Sequence, residues 1–427
     1  MELLPEGVTE RCIPDHPPAL QQRDSGMKAP GIPSGFMQFV RRSRRRLARF
    51  PIGGALAQVA ARISRHPVRR ILLVSDGIAY TSEQQFAPLL RYRRQIASRT
   101  GIVFSFMITK DAWKLSSSQL KRVHAIGLKL SFSTSATDAA ALASHVFGAA
   151  KKAGIQALVF DGDDDSSVLW PDVLAACDHY IKKHRYTDMG AYTAVLTGKS
   201  NLTDYVHRTY GWSFADNIIP SSGGLEPRNI EKIILGWNIA LDDKIADLAR
   251  DLPVDARINR DIDLLCRASV PEGFWTFPMR DTAVRAIRNL SSEYRIHAPT
   301  DRAPPAEYYR EMLRSRVCVS PFGFGEICWR DFEAILCGCL LVKPDMSHVA
   351  TLPDLFVPHE TYVPVSWDYS DIGAVCGPYL SDEKAFRRVT DTASARLHEA
   401  LTEEWFLERF EAVMQKTGII HPRRQEN

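Results

Sequence analysis

The chain has 427 residues, of which 45% are hydrophobic and 24% charged, with 25 glycines and 25 prolines. This ordinary composition excludes collagen-like and low-complexity classes. The length predicts two domains, because a single core seldom grows beyond about 250 to 300 residues. The net charge of +4 argues against a dedicated nucleic-acid binder, so we expect no nucleic-acid partner. The charge is uneven: residues 25–75 contain eleven basic residues and no Asp or Glu, which leaves the rest of the chain net acidic.

Residues 1–67 are predicted to form a disordered tail and a basic amphipathic arm. Phe36, Val40 and Leu47 lie roughly on one helical face, with arginines around them. The arm either packs as a solvated helix or binds an anionic membrane surface through Arg41 to Arg70, at about 1 kcal/mol per arginine. No apolar run reaches the roughly 18 residues of a membrane span, and the start lacks a signal-peptide core. We therefore expect a cytoplasmic protein, which the membrane-binding alternative places on the inner face of the cell membrane.

From residue 68 onward, short apolar strands such as VRRILLVSD and ALVFDGDDD alternate with helical periods. The first helices are predicted near residues 83–97, 115–125, 136–153 and 167–176. The alternation restarts near residue 261, which predicts an α/β protein with two parallel sheets. We expect two Rossmann-like domains that face a cleft, preceded by the basic arm: residues 68–225 and 226–395, followed by a C-terminal helix and tail over 396–427. Ligands of such folds bind at the carboxyl ends of the strands.

The segment SPFGFGEICWRDFEAILCGCLLVKPD, residues 320–345, is the most informative part of the sequence. A strand runs into a loop with Gly323 and Gly325, and a helix is predicted to open near Glu326 or Ile327. Glycines before a helix N-terminus let backbone N–H groups approach a phosphate, whose charge the helix dipole favours. Arg330 and Glu333 then share a helix face, and they can bind a diphosphate and ribose hydroxyls respectively. The segment therefore predicts a nucleoside diphosphate site.

The residues R-D-F-E-A-I-x-x-G-C-x-x-V, from Arg330 to Val342, resemble the C-terminal signature of exostosin-like and related glycosyltransferases of the GT-B fold. The resemblance implies a donor nucleotide-sugar, of UDP or GDP type, in the second domain and a glycan or lipid-linked acceptor in the first. It implies that Arg330 lies near the donor diphosphate and Glu333 near the ribose. We expect the donor to be bound by Arg267, Gly323, Gly325, Glu326, Arg330 and Glu333, with no metal and no further cofactor.

Retaining enzymes of this fold often carry two glutamates eight positions apart. Eight positions before Glu333 stands Gly325, and Glu326 comes one residue too late, so we expect inversion. A structural alternative is that Glu326 only complements a helix N-terminus, and that Arg330 and Glu333 form a surface ion pair. Arg267 could equally lie on a loop surface.

Lys343, Asp345 and His348 follow the next predicted strand and could face the same cleft. A histidine in such a position is more often a hydrogen-bonded structural residue than a catalyst.

Two carboxylates near the end of the first strand are candidate general bases for the acceptor hydroxyl, namely Asp76 and Glu83. Either would need to lie within hydrogen-bond reach of that hydroxyl. For Glu83 the alternative is a capping box with Thr81 or Ser82 as the N-cap.

The acidic run FDGDDDSS, residues 160–167, offers a competing function. An Asp-x-Asp pattern after an apolar strand is the feature by which metal-dependent GT-A transferases bind a divalent ion, here through Asp161 and Asp163. The run could instead line the acceptor cleft or cap the next helix. From a different class, the chain could be a non-catalytic, membrane-associated binding protein in which the arginine arm is the active part.

Overall fold

The computed structural model describes residue 59 and residues 66–75, 79–214, 222–252, 259–269 and 272–421, with only the backbone over 79–83 and 222–223. Within these residues, none of the helices has the length and apolar character needed to cross a membrane. Most of the predicted membrane-binding segment, Arg41 to Arg70, lies outside the described residues, so the arm stays a prediction.

The first half of the chain forms a six-stranded parallel sheet with the order β2-β1-β3-β4-β5-β9. Its strands are β1 (Arg69–Ser75), β2 (Ile102–Ile108), β3 (Ala125–Lys129), β4 (Gln156–Asp161), β5 (His179–Lys182) and β9 (Ile233–Leu235). Two short antiparallel pairs add β6 (His184–Tyr186), β7 (Val195–Leu196) and β8 (Ser222–Gly223). The helices of this half are α1 (Ala79–Arg91), α2 (Arg93–Thr100), α3 (Thr109–Ala112), α4 (Ala136–Ala153), α5 (Pro171–Ala176), α6 (Asn201–Tyr210), α7 (Pro227–Ile230) and α8 (Asp243–Asp251).

The first sheet is buried on both faces, which explains why its strands are apolar along their length. In β1, Leu72 and Val74 pack with α4 on one face, while Ile71 and Leu73 pack on the other. The helix predicted over 115–125 is replaced by a single 3-10 turn, Ser117–Leu120. There the Ser116 side chain bonds to Ser118 and Gln119, and such local bonds compete with a helical backbone.

The second half forms a five-stranded parallel sheet with the order β11-β10-β12-β13-β15. Its strands are β10 (Ile262–Leu265), β11 (Ile296–His297), β12 (Ser315–Val319), β13 (Leu340–Pro344) and β15 (Val363–Val365), and β14 (Val349–Thr351) lies outside this sheet. The helices are α9 (Phe277–Arg288), α10 (Pro305–Leu313), α11 (Trp329–Leu336), α12 (Ile372–Ser381), α13 (Glu383–Ala400) and α14 (Glu403–Lys416). These two parallel sheets with covering helices confirm the predicted α/β class with two Rossmann-like units.

The two halves are connected by strand pairing and by the C-terminal helix. β14 of the second half pairs antiparallel with β6 of the first. The apolar face of α14, including Phe406 and Phe410, packs in the same core as Ile71 and Leu73 of β1. The strand β9 joins the first sheet although it follows the boundary predicted at residue 225. The domain boundaries themselves stay predictions.

Candidate functional site

Two arginine side chains meet at the carboxyl edge of the second sheet. Arg330, in the first turn of α11, donates from Nε to the Ser320 hydroxyl (3.0 Å) and from its two terminal nitrogens to the carbonyls of Arg267 and Pro321 (2.9 Å each). These acceptors follow β10 and β12, so the guanidinium ties together the loops at the ends of two adjacent strands. It lies at the sheet edge where α/β folds bind ligands.

Arg280, in the first turn of α9, is the second cation of this pair. It donates to the carbonyls of Phe322 (3.3 Å) and Ser269 (3.0 Å). Burial lowers its pKa to about 10, and the positive charge of Arg330 adds to that shift. Every acceptor that these two guanidiniums contact within the described chain is an uncharged oxygen. Two half-buried positive charges therefore lie near each other, and among the described residues no carboxylate bonds directly to either of them. An anion stabilises such an arrangement.

A buried network behind Arg330 keeps its acceptor in place. The Ser320 hydroxyl donates to Asp331 Oδ1 (2.5 Å), and the same carboxylate oxygen lies 3.2 Å from Lys343 Nζ. Asp331 and Lys343 are both fully buried, and the other Asp331 oxygen accepts the backbone N–H of Cys328 (3.0 Å). The predicted cleft residue Lys343 is thus committed to an interior ion pair, and Asp331 orients the serine that holds Arg330.

The glycine loop differs from the prediction in one respect. Helix α11 begins at Trp329, because Cys328 and Asp331 form a capping box there, so no helix opens near Glu326 or Ile327. A side chain at Gly323 would lie 3.6 Å from the Arg280 guanidinium, in ordinary contact. A side chain at Gly325 would lie 1.5 Å from the carbonyl oxygen of Asp164. Gly325 therefore allows two backbones to touch, and the predicted phosphate contacts of both glycines stay predictions.

Glu326 is fully buried where the glycine loop meets the acidic loop of the first half. One oxygen accepts the backbone N–H of Ser166 (3.1 Å) and lies 3.4 Å from His184 Nε2. The other oxygen lies 3.5 Å from His348 Nε2. Burial disfavours the carboxylate, but the two histidines outweigh it and hold the pKa of Glu326 well below its usual range. The carboxylate thus connects both halves of the molecule, and its predicted contact with the donor stays a prediction.

Glu333, the predicted ribose ligand, is buried among donors that the chain itself supplies. Its carboxylate accepts the hydroxyls of Tyr308 (2.7 Å) and Tyr309 (2.8 Å) and pairs with Lys244 Nζ (2.6 Å). Burial raises the pKa of Glu333, but the Lys244 ammonium and these hydroxyls outweigh it, so the pKa is lowered. Arg330 and Glu333 do not bond to each other. A ribose would have to share or displace these partners, and this role stays a prediction.

Arg267 is only 8% exposed and is held in a bidentate ion pair. Its Nε and one terminal nitrogen each lie 2.6 Å from an oxygen of Glu311, and the other terminal nitrogen donates to the carbonyl of Asp301 (2.8 Å). The surface alternative does not apply. Its charge is already compensated, whereas its backbone carbonyl accepts Arg330. Any contact with the diphosphate stays a prediction for this side chain.

The two predicted general bases are not placed by the structure. Asp76 lies outside the described residues, and Glu83 lies in α1 where only the backbone is described. Both roles therefore stay predictions.

The acidic run is matched by lysines. Asp161 pairs with Lys182 (2.8 Å), Asp164 with Lys183 (2.9 Å), and Lys199 lies 3.5 Å from Asp163 and 2.8 Å from Asp165. In the part of the chain that the structure describes, no group of three or more His, Cys, Asp or Glu side chains is arranged to hold a metal ion. The carboxylates of the metal-dependent alternative, Asp161 and Asp163, thus already have cationic neighbours.

Sequence reasoning missed Arg280 and the lysines Lys182 and Lys199. Arg280 is one of three arginines in α9, and nothing in the spacing of that helix marks it. Its first-turn position, just after the aromatic run GFWTF, is the signal that could have singled it out, since first turns of helices face the carboxyl edge of a parallel sheet.

No protein family model and no curated protein matches this chain. Among solved structures, an alpha-glucosyltransferase in complex with UDP is 12% identical with a TM-score of 0.43, covering 82% of this chain and 100% of that one. Anabaena Alr3699/HepE in complex with UDP is 9% identical, with a TM-score of 0.43 and coverage of 82% and 100%. A UDP-N-acetylglucosamine 2-epimerase is 10% identical, with a TM-score of 0.41 and coverage of 84% and 99%. Because these TM-scores lie under 0.5, we base the function of this chain on its own residues.

Proposed function

We propose that the protein is a glycosyltransferase that moves a sugar from a nucleotide-diphospho-sugar donor to a glycan or lipid-linked acceptor. The observation that carries the proposal is the pair Arg280 and Arg330 at the carboxyl edge of β10 and β12, where every hydrogen-bond acceptor of the two guanidiniums within the described residues is an uncharged oxygen. A diphosphate is an anion with several acceptor oxygens, and it would satisfy the remaining N–H groups of both arginines.

The same two arginines would assist the chemistry. When the bond from the anomeric carbon to the diphosphate breaks, negative charge develops on the leaving group. Preorganised cations next to that group stabilise it more in the transition state than in the ground state. We propose an inverting transfer of this kind, with UDP or GDP as the leaving nucleotide and with arginines in the place that a metal ion takes in metal-dependent transferases. The GT-A-like alternative through Asp161 and Asp163 requires a divalent ion.

Nucleotide binding and turnover test the proposal. We expect the full chain to bind UDP or GDP by calorimetry and to hydrolyse or transfer the sugar of the matching donor with and without EDTA. Arg330→Gln and Arg280→Gln should each weaken nucleotide binding about tenfold or more, because a charge-assisted hydrogen bond contributes about 1.5 to 3 kcal/mol.

Arg285→Gln is the matched control, since Arg285 lies on the same helix as Arg280 but is 68% exposed and pairs with Asp281. Circular dichroism checks that each variant folds. Unchanged nucleotide affinity in both site variants would contradict the proposal, and loss of turnover with EDTA would favour the metal-dependent alternative.

We further propose a cytoplasmic location with peripheral attachment to the anionic inner face of the cell membrane through Arg41 to Arg70. The support is the run of eleven basic residues without a carboxylate over residues 25–75. Such attachment would bring a cytoplasmic transferase to a lipid-linked acceptor.

A further inference from the structure

His348 lies where the second sheet meets the first half of the chain. It precedes β14, and its backbone carbonyl accepts the N–H of Thr187 next to β6 (2.8 Å). The imidazole ring packs against Trp367 with a centroid distance of 5.2 Å, and the side chain is 25% exposed. The ring thus packs against Trp367 and still reaches solvent at the junction of the two halves.

The carboxylate of Glu326 lies beside the buried nitrogen of that ring. His348 Nε2 is buried and lies 3.5 Å from Glu326 Oε1, and the same carboxylate is fixed by the Ser166 N–H. At 3.5 Å this contact is longer than an ordinary N–H···O hydrogen bond. An ionised carboxylate can only accept a hydrogen bond, so its charge favours the neutral tautomer that carries the hydrogen on Nε2. The unprotonated nitrogen is then Nδ1, on the opposite side of the ring from the buried contact. The exposed part of the side chain therefore presents a basic nitrogen.

The ring of His348 is connected to the arginine pair through a short series of contacts. The Trp367 ring lies 5.0 Å from the Phe322 ring, and the Phe322 carbonyl accepts Arg280 Nε. Two ring contacts and one backbone hydrogen bond, through Trp367 and Phe322, thus connect His348 to Arg280. A sugar attached to a diphosphate at the arginines would have to extend towards Trp367 for its anomeric carbon to lie near His348.

We propose that His348 is the general base of the transfer, with Glu326 as the residue that positions it. The inference rests on the proposed glycosyltransferase function. The acceptor O–H bond breaks and its proton moves to His348 Nδ1, while the acceptor oxygen forms a bond to the anomeric carbon. The bond from that carbon to the diphosphate breaks, and its electron pair leaves with the diphosphate beside Arg280 and Arg330. Base catalysis of this type contributes about 10² to 10⁴ in rate.

The other ionisable groups around Glu326 are less suited to this role. His184 contacts the second oxygen of Glu326 but is fully buried, and burial lowers the pKa of its imidazole. This ring is therefore uncharged, and a glycosyl acceptor cannot reach it. Lys182 and Lys183 lie beside His184 on the first half. Asp165 is also buried, and Lys199 lies 2.8 Å from it. The described ionisable groups next to the carboxylate thus leave His348 as the exposed base.

The pH dependence of turnover in the full chain tests the assignment. His348→Gln should keep its affinity for UDP or GDP within about twofold, while kcat falls by about 100-fold or more. The acidic limb of the pH–rate profile, which reports protonation of the base, should disappear in this variant. Glu326→Gln should give a smaller loss of kcat and a shifted acidic limb, because the carboxylate acts only through the histidine.

Chemical rescue separates a catalytic from a structural role. Activity of His348→Ala should rise with millimolar imidazole, whereas a merely misfolded variant would not respond. His398→Gln is the matched control, since His398 lies exposed on α13 and hydrogen-bonds to Ser394 of the same helix. Thermal unfolding and nucleotide affinity confirm that each variant is folded.

Retention of wild-type kcat and of the acidic limb in His348→Gln would overturn the inference, and so would loss of that limb in Glu83→Gln alone. If the wild-type chain binds nucleotide and turns over donor while His348→Gln does the same, only the role of His348 fails. If the wild-type chain neither binds nor turns over any donor, the proposed function fails and this inference with it.

Discussion

Buried charges around the arginine pair show how single residues hold the site. Lys343 and Asp331 are both fully buried, 3.2 Å apart, and Asp331 also accepts the Ser320 hydroxyl that holds Arg330. An ion pair of this type need not add net stability, but breaking it leaves a charge in the interior without its partner. The position of Arg330 therefore depends on the buried Lys343–Asp331 pair, because Asp331 orients the serine that accepts Arg330.

Lys343→Met should lower the free energy of unfolding by about 3 to 5 kcal/mol, because it strands the Asp331 carboxylate. Urea denaturation measures the change. The control is Arg387→Met, which removes the exposed Arg387–Glu383 pair of α13, with side chains 67% and 56% exposed, and should cost less than about 1 kcal/mol. Equal effects of the two substitutions would show that the Lys343–Asp331 pair carries no special cost.

At the scale of elements, the molecule depends on two loops that touch at Gly325. The loop after β12 reaches the acidic loop after β4, and Glu326 adds a hydrogen bond to Ser166 there. Gly325 comes so close to Asp164 that a Cβ would meet backbone atoms at 1.5 Å and 2.0 Å. Backbone atoms cannot move aside as a flexible side chain can, so this contact requires glycine.

Gly325→Ala should destabilise the protein by about 1 to 3 kcal/mol or more, since overpacking of this kind forces the backbone to shift. Hydrogen exchange of the amides over residues 161–167 should quicken as the two loops separate. Gly323→Ala is the control in the same loop, because its Cβ meets only the Arg280 guanidinium at 3.6 Å. Undisturbed exchange in the Gly325 variant would contradict the close contact.

At the scale of the whole molecule, the C-terminal helix packs against the sheet formed by the first half of the chain. After the second sheet is complete, α14 packs Phe406, Phe410 and Met414 against the first sheet. The packing of α14 and the pairing of β6 with β14 thus connect the two halves of the molecule. The basic N-terminal segment precedes both sheets in the sequence.

We expect weaker binding to phosphatidylserine-containing vesicles when Arg41, Arg42, Arg44, Arg45 and Arg46 are replaced by glutamine in the full chain. The loss should be roughly 10³- to 10⁴-fold, because each arginine contributes about 1 kcal/mol near an anionic surface. Co-sedimentation measures the binding, and neutral vesicles serve as the control. Transfer to a soluble acceptor should not change. Vesicle binding as strong as that of the wild type would refute membrane attachment through this segment.

Local patterns determined the class of fold and most of its elements. The alternation of apolar strands with helical periods predicted both parallel sheets, and α4 covers the predicted residues 136–153. Hydrophobic periodicity is a property of neighbouring residues, which is why it can be read along the chain. The periodicity gave a wrong prediction at Ser117–Leu120, where serine side chains bond locally and only a 3-10 turn forms. It also placed the start of α11 too early, because the Cys328–Asp331 capping box determines the first turn of that helix.

The partners of charged side chains were decided by the tertiary structure. The motif marked Arg330 and Glu333, but only the fold shows that Arg330 holds the ends of two strands and that Glu333 pairs with Lys244 from α8. Arg280 and Arg330 are fifty positions apart in the sequence. Residue spacing along the chain therefore does not reveal that they form a pair. The sequence by itself determines which segments become strands and helices, because that depends on local geometry and burial. Which charges meet at the sheet edges depends on how distant segments pack, because electrostatic contacts form between whichever residues the fold brings together.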